Sequence, residues 1–260
     1  MRPMATFFGI LSDYEDPPYD SNTALFANFI AAVGFVNLLS LKAGDAEKPG
    51  ARIAREDLNF MSSVGMALTY SLAMVKGVFT GTFAQFWTAF VIVLALGHYR
   101  IVSSGFGSTR KAMKDNLFKG ATNNIDAISS GMFIFYGVMI FLALGLNLEF
   151  LHGFCASNMS FFGMLTPEPP AFVHHQAARY GGGCFLGMAA LSVPAFSGAA
   201  EDSDYAAVRR TAHIAAHVAG IISMAALPVN GSAFTFWTAM SAVLAVLLST
   251  KNTTLKTKAD

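Results

Sequence analysis

Long apolar runs almost free of charge constrain this 260-residue chain more than any other feature. Seven of them stand out, at 24–41, 60–79, 83–99, 128–147, 177–195, 211–229 and 232–249. A helix crosses the hydrocarbon layer of a bilayer in about 20 residues, so each run is long enough to span it with little tilt. Backbone polar groups in lipid must find partners inside the chain, and these runs lack the alternation of barrel strands, so they are read as helices. Composition agrees: charged residues make up 13% of the chain, against about 25% in a soluble domain. The expected fold is all-α, a polytopic membrane bundle of seven transmembrane helices forming a single integral membrane domain over 1–260.

The loops then set the orientation. Fourteen of the seventeen Lys and Arg fall on one side, in the 42–59 loop, the 100–127 loop, the 196–210 loop and the tail. The other side carries Arg2 in its connecting segments, with Lys76 and Arg179 near the span ends that face it. Short loops rich in Lys and Arg stay on the cytoplasmic side, so the N-terminus is expected outside and the C-terminus inside. The tight connections Thr80-Gly81-Thr82 and Pro228-Val229-Asn230-Gly231 have the Gly, Pro and Asn content of helical hairpin turns. Residues 1–23 form a non-membrane segment that is neither a cleavable signal nor a transit peptide. Its apolar stretch is short, acidic residues follow it, and it lacks an Arg- and Ser-rich character.

An internal repeat sharpens this layout. Residues 81–95 align without a gap on 231–245, with identities at Gly81/Gly231, Phe86/Phe236, Trp87/Trp237, Thr88/Thr238, Ala89/Ala239 and the Val-Leu-Ala that ends each segment. The same offset superposes spans 1–3 on spans 5–7 in the same direction, so the units are parallel, related by an axis along the membrane normal. The chain then reads as repeat 1 over 24–99, a basic loop over 100–127, an extra helix at 128–147, repeat 2 over 177–249 and a basic tail over 250–260.

Residues 131–248 carry one helix, a Pro-containing outer loop (Thr166-Pro-Glu-Pro-Pro170), the opening Ala178-Arg-Tyr-Gly-Gly-Gly183 of the next helix, a basic turn and a final hairpin. In this the stretch resembles small uncharacterised four-helix membrane proteins of the DoxX-like group. The resemblance implies a helical membrane fold and adds nothing on chemistry, and the first half departs from it by lacking its own leading helix.

Few residues carry chemistry. His213 and His217 lie four apart and share a helical face. Intramembrane His ligates haem or chlorophyll or relays protons, with His98 at the end of span 3 as a conceivable companion. The structural alternative has these His residues bonding backbone or headgroups just inside the basic interface. His152, His174 and His175 on the outer loop lack metal-ligand spacing, and Cys155 and Cys184 form no spaced set, so no metal site is expected. Arg179 and Lys76 are candidates for lipid or anion contact, or simply snorkel to the interface. Gly181, Gly183 and Gly187 supply a small-residue face for close helix packing, and Trp87 and Trp237 are placed as interface anchors.

What is missing narrows the function. No span carries Asp or Glu in its central two-thirds, and no Lys lies in span 7, which removes retinal Schiff-base chemistry. No catalytic Ser-His-Asp or H-E-x-x-H set is present, so an enzyme is not expected. The favoured reading is a non-catalytic accessory or structural subunit of a larger membrane complex, with lipid or pigment as its candidate ligands. Its partners would be membrane lipids and other membrane subunits or further copies of itself, with no nucleic acid. The first alternative is a carrier or channel for a small neutral or lipophilic solute, lined by Asn28, Asn37, Thr69, Tyr70, Gln85 and Tyr136. The second is a haem or pigment protein using His213 or His217.

Overall fold

The computed structural model describes residues 33–39, 48–77, 80–104, 124–142, 146, 148–151, 176–196, 203–226 and 239–250. Among them all regular structure is helical. In chain order the helices are α1 (33–39), α2 (Pro49–Val75), α3 (Thr82–Ser104), α4 (Asn124–Ile140), α5 (Gln176–Phe196), α6 (Ser203–Ala226) and α7 (Ala239–Thr250). A short π-helical turn follows α4 at Phe141 and Leu142, and a 3-10 turn occupies Glu149–Leu151.

Two of these helices, Pro49–Val75 and Thr82–Ser103, are long and apolar enough to cross a membrane by length and composition. Asn124–Ile140, Gly183–Phe196 and Ala239–Thr250 are shorter apolar helices. The helical bounds depart from the apolar runs in an instructive way. α2 starts at Pro49, where a missing N–H costs nothing at the first helical position, and continues through Arg52, Arg55, Glu56 and Asp57 before the apolar run at 60. α3 extends past 99 to Ser104, and α6 starts at Ser203, within the segment expected to be loop. In α2 and α6 the charges of these added turns find partners across helices, which a hydropathy pattern does not register. In the expected 128–147 span, α-helical geometry gives way at Phe141, where the Leu146 amide reaches back to the Phe141 carbonyl at 2.8 Å.

The α2–α3 connection is built as its glycines suggest. Lys76 caps α2, its amide bonding the Leu72 carbonyl, and Gly77 (φ 70°) and Gly81 (φ 90°) take the left-handed conformation that other residues disfavour. α5 is the central element and packs against α2, α4 and α6, while α2 also packs against α3 and α6. The principal core lies along these contacts, with Leu58, Phe133, Phe185, Met188, Leu191 and Tyr205 buried in it. A smaller cluster of Tyr70, Ala73, Ala84 and Val91 joins α2 to α3, with Trp87 against it.

Glycines set the closeness of the α2–α5 crossing. A β-carbon at Gly183 would stand 2.7 Å from the Met66 amide nitrogen and 2.8 Å from the Ser62 carbonyl oxygen. One at Gly187 would meet the Leu58 carbonyl and the Ser62 hydroxyl, and Gly65 on α2 faces Gly183 directly. Backbone meets backbone here, as small-residue crossings in membranes allow.

Candidate functional site

Four polar residues line one stripe of α6. Tyr205, Arg209, His213 and His217 recur every fourth residue, so they stack on a single helical face. All four are buried. Their partners come from α2, α4 and α5.

Nearest the α6 N-terminus, the Tyr205 hydroxyl reaches Asp57 of α2 at 3.5 Å. One turn on, Arg209 is 0% exposed and meets Asp126 of α4, which is 1% exposed, at 3.3 Å. Arg210 grips the same carboxylate with two bonds, Nε to Oδ1 at 2.9 Å and an NH2 nitrogen to Oδ2 at 2.7 Å. Burial alone would raise the Asp126 carboxyl, but hydrogen bonds and charge from Arg210 and Arg209 outweigh it and hold the group below its ordinary value. Asp126 also lies in the first turn of α4, where a helix N-terminus favours negative charge.

Below this ion cluster lies a hydrogen-bonded chain. The Ser192 hydroxyl of α5 donates to the Met188 carbonyl at 2.7 Å, so its oxygen must accept from His213 Nε2 at 2.9 Å. An uncharged His213 then carries its proton on Nε2 and presents the Nδ1 lone pair to Ser129 of α4 at 3.1 Å. Ser129 donates there, and its oxygen accepts from His217 Nε2 at 3.4 Å. One serine hydroxyl thus stands between two imidazoles, and Phe133 lies against both rings, at 4.3 Å from His213 and 5.2 Å from His217 by ring centroids.

A second polar contact joins α2 and α3. His98 Nδ1 lies 3.0 Å from the buried Glu56 carboxylate, with Arg55 at 3.7 Å from its other oxygen. The His98 hydrogen bond, against the opposing effect of burial, holds the Glu56 carboxyl below its ordinary value. Close by in sequence, Asn37 of α1 and Asn59 of α2 exchange amide hydrogen bonds of 2.8 and 2.6 Å, and Lys48 meets Asp204 at 3.2 Å.

The structure thus brings His213 and His217 together and places His98 on a different partner. His213 bonds two side-chain hydroxyls rather than backbone or headgroups. A haem or chlorophyll needs an open imidazole nitrogen and macrocycle-sized room beside it; His213 has both nitrogens engaged and no exposed surface. His213 therefore does not fit such a group. Gly183 and Gly187 lie at the α2–α5 crossing, and Gly181 belongs to α5. Arg179 also belongs to α5, with its side chain outside the described residues. Lys76 is exposed at the end of α2. Trp87 stacks on Phe83 and tilts against Phe90, within the α2–α3 contact. Trp237, Cys155, His152, His174 and His175 lie outside the described residues, and Cys184 is a buried free thiol.

Of the polar residues considered for a solute path, Asn37 is paired with Asn59, Thr69 bonds its own helix at Met66 and Tyr70 packs between α2 and α3. Gln85 is exposed on α3, Tyr136 packs against the principal core and Asn28 lies outside the described residues. Asp126, Ser129 and Ser192 gave no sequence signal as site residues. The only clue was Asp126 just ahead of an apolar run, with Arg209 and Arg210 just ahead of another.

No protein-family model, curated protein or solved structure matches this chain.

Proposed function

We propose that this chain is a multi-pass integral membrane protein acting as a non-catalytic subunit that packs in lipid against other membrane proteins. The observation that carries this reading is α3. It rests on α2 through one stripe, at Ala84, Thr88 and Val91, and leaves most of its other apolar side chains exposed. Phe86 and Val93 are 63% and 65% exposed, and Phe90, Leu96, Tyr99 and Ile101 are exposed with them. A contiguous apolar face of this length marks lipid or protein contact.

The finer topology of seven spans, N-out and C-in, with parallel repeats around an extra helix, belongs to the same proposal. Its support is the polar contacts of the ends that the loop charges assign to one side. The end of α1 meets the start of α2, the start of α2 meets the end of α3 and the start of α6, and the start of α4 meets the start of α6. Asp204, Arg209 and Arg210 lower the apolar character of α6, and these contacts bury or pair them.

Mild detergent extraction followed by native gel electrophoresis tests the subunit role. The expected result is migration above the monomer, with a second membrane protein or further copies of the chain; migration as a monomer alone overturns it. Cysteine placed at Lys48 and Lys76, at opposite ends of α2, tests the topology in sealed vesicles. An impermeant thiol reagent is expected to label the two from opposite sides.

A further inference from the structure

We propose that the outward stripe of α3 that ends in Arg100 binds an anionic phospholipid, with the headgroup on Arg100 and the acyl chains along the helix. Phe86, Ala89, Val93, Leu96 and Arg100 follow one another at alternating steps of three and four residues, so they share one helical face. All five are exposed, turned away from the Ala84, Thr88 and Val91 stripe that rests on α2. The stripe is apolar until it reaches Arg100, and a guanidinium takes a phosphate through two parallel hydrogen bonds. Neighbouring Tyr99 is 58% exposed, as suits an aromatic side chain at headgroup level. From Ala89 to Arg100 the helix rises about 16 Å at 1.5 Å per residue. That is close to one leaflet of a hydrocarbon core about 30 Å thick, so a single lipid fits the stripe from headgroup to chain end.

Charge at this end of the α2–α3 hairpin selects the headgroup. His98 and Arg55 both meet the Glu56 carboxylate, at 3.0 and 3.7 Å, which sets the first turns of α2 level with the last turns of α3. The acids of those α2 turns face inward: Glu56 is 6% exposed, and Asp57 is bonded to Tyr205 of α6. The cations lie outward, Arg52 and Arg100 exposed and Arg55 partly so. This end therefore presents three arginines to the leaflet it meets while its carboxylates are turned away, and each such cation strengthens the hold on anionic lipid. A second copy of the chain fits the stripe less well, because a parallel pair would set Arg100 against Arg100. The inference rests on the membrane reading above, and it leaves the adjacent stripe of Phe90, Leu94 and Ile101 to a protein partner.

The test uses the full-length protein, delipidated in mild detergent. Phosphatidylglycerol and phosphatidylcholine of matched acyl chains are titrated separately, and bound lipid is counted by native mass spectrometry. One phosphatidylglycerol per chain is expected, at about tenfold lower concentration than phosphatidylcholine. Arg100→Gln should remove most of that preference, whereas Arg100→Lys, which keeps the charge, should retain most of it. Lys76→Gln, at the opposite end of α2, should leave it unchanged. Inorganic phosphate at millimolar concentration should not displace the lipid, because the acyl chains share in the binding. Circular dichroism checks that each variant is folded. Equal binding of the two lipids overturns the proposal, as does a preference that survives Arg100→Gln, or displacement by inorganic phosphate, which would mark a site for free anions. Loss of a protein partner from Arg100→Gln with lipid binding unchanged would make the stripe a protein contact and overturn it too. Native gels and vesicle labelling of the wild-type chain judge the membrane-subunit reading separately from these lipid titrations.

Discussion

Asp126→Asn is the most informative single change in this bundle. The substitution keeps shape and removes the carboxylate that faces both Arg209 and Arg210. Arg210 has a partly exposed side chain and recovers some hydration, so its loss is small. Arg209 is 0% exposed and keeps its charge in place. Breaking a buried pair by removing one partner costs about 3–5 kcal/mol; because Arg209 has further interactions, the lower end, about 3 kcal/mol, is expected. At about 1.4 kcal/mol per tenfold change, that is roughly a hundredfold shift in the unfolding equilibrium. The assay is reversible unfolding in mixed micelles, followed by circular dichroism. Adding Arg209→Met to the Asp126→Asn variant removes the stranded charge and should restore most of the lost stability. The pH dependence gives a second handle. Asp126 is held below its ordinary value of about 3.9, so its contribution is complete above that pH and fades only as pH falls through the lower folded value. Wild type and variant should therefore differ at neutral pH and converge only in strong acid. A neutral-pH difference below about 0.5 kcal/mol, the size of an ordinary surface substitution, would refute the buried-pair argument.

Three other outcomes are expected. Gly183→Ala forces a β-carbon onto the Met66 and Ser62 backbone and should cost about 1–3 kcal/mol as overpacking, read as a lower unfolding midpoint. Gly97→Ala on the open face of α3 meets nothing within 4 Å and should stabilise slightly, by up to about 1 kcal/mol of helix propensity, in the same assay. Glu56→Gln loses the charge-assisted bond to His98 and should cost about 1–3 kcal/mol, with protection of α3 amides from hydrogen exchange reduced relative to α4.

Legibility in the sequence divides between local features and long-range ones. The apolar runs located α3, α5 and most of α2 because hydropathy is additive along the chain and needs no partner. Gly183 and Gly187, read as a small-residue face, stand at the α2–α5 crossing, where only a missing side chain lets two backbones meet. Gly81 was legible as part of the Thr80-Gly81-Thr82 turn, whereas Gly77, inside the expected 60–79 span, takes a left-handed conformation just past the end of α2. What remained hidden depended on residues distant in sequence. Asp126 and Arg209 stand 83 positions apart, and each alone reads as a charge that ends a span. Brought together they let α4 and α6 continue as helices, so both helices begin earlier than their apolar runs. His213 was visible as a singular residue, but its partners were not, because an isolated serine such as Ser129 or Ser192 leaves no periodic trace.

Long-range pairing is also why α6, with Asp204, Arg209 and Arg210 in its first turns, is the helix that organises the site. Tyr205 to His217 covers about 18 Å of helix axis at 1.5 Å per residue. Over that distance every fourth side chain is polar and buried, and each has a partner on another helix. A polar stripe with unmatched neighbours would favour no single arrangement, since buried polar groups without partners cost about 1–3 kcal/mol each. Matched in order to Asp57, Asp126 and Ser129, the stripe fixes the rotation and the axial position of α6 against α2 and α4 together. Sliding α6 by one turn would set His213 beside Asp126 and Arg209 beside Asp57, and would separate His213 from Ser192. Apolar packing alone does not impose such a register, because one Leu or Ala contact replaces another at little cost. The polar column therefore aligns the helices that the apolar faces merely hold together, and in doing so it brings the two imidazoles to one point.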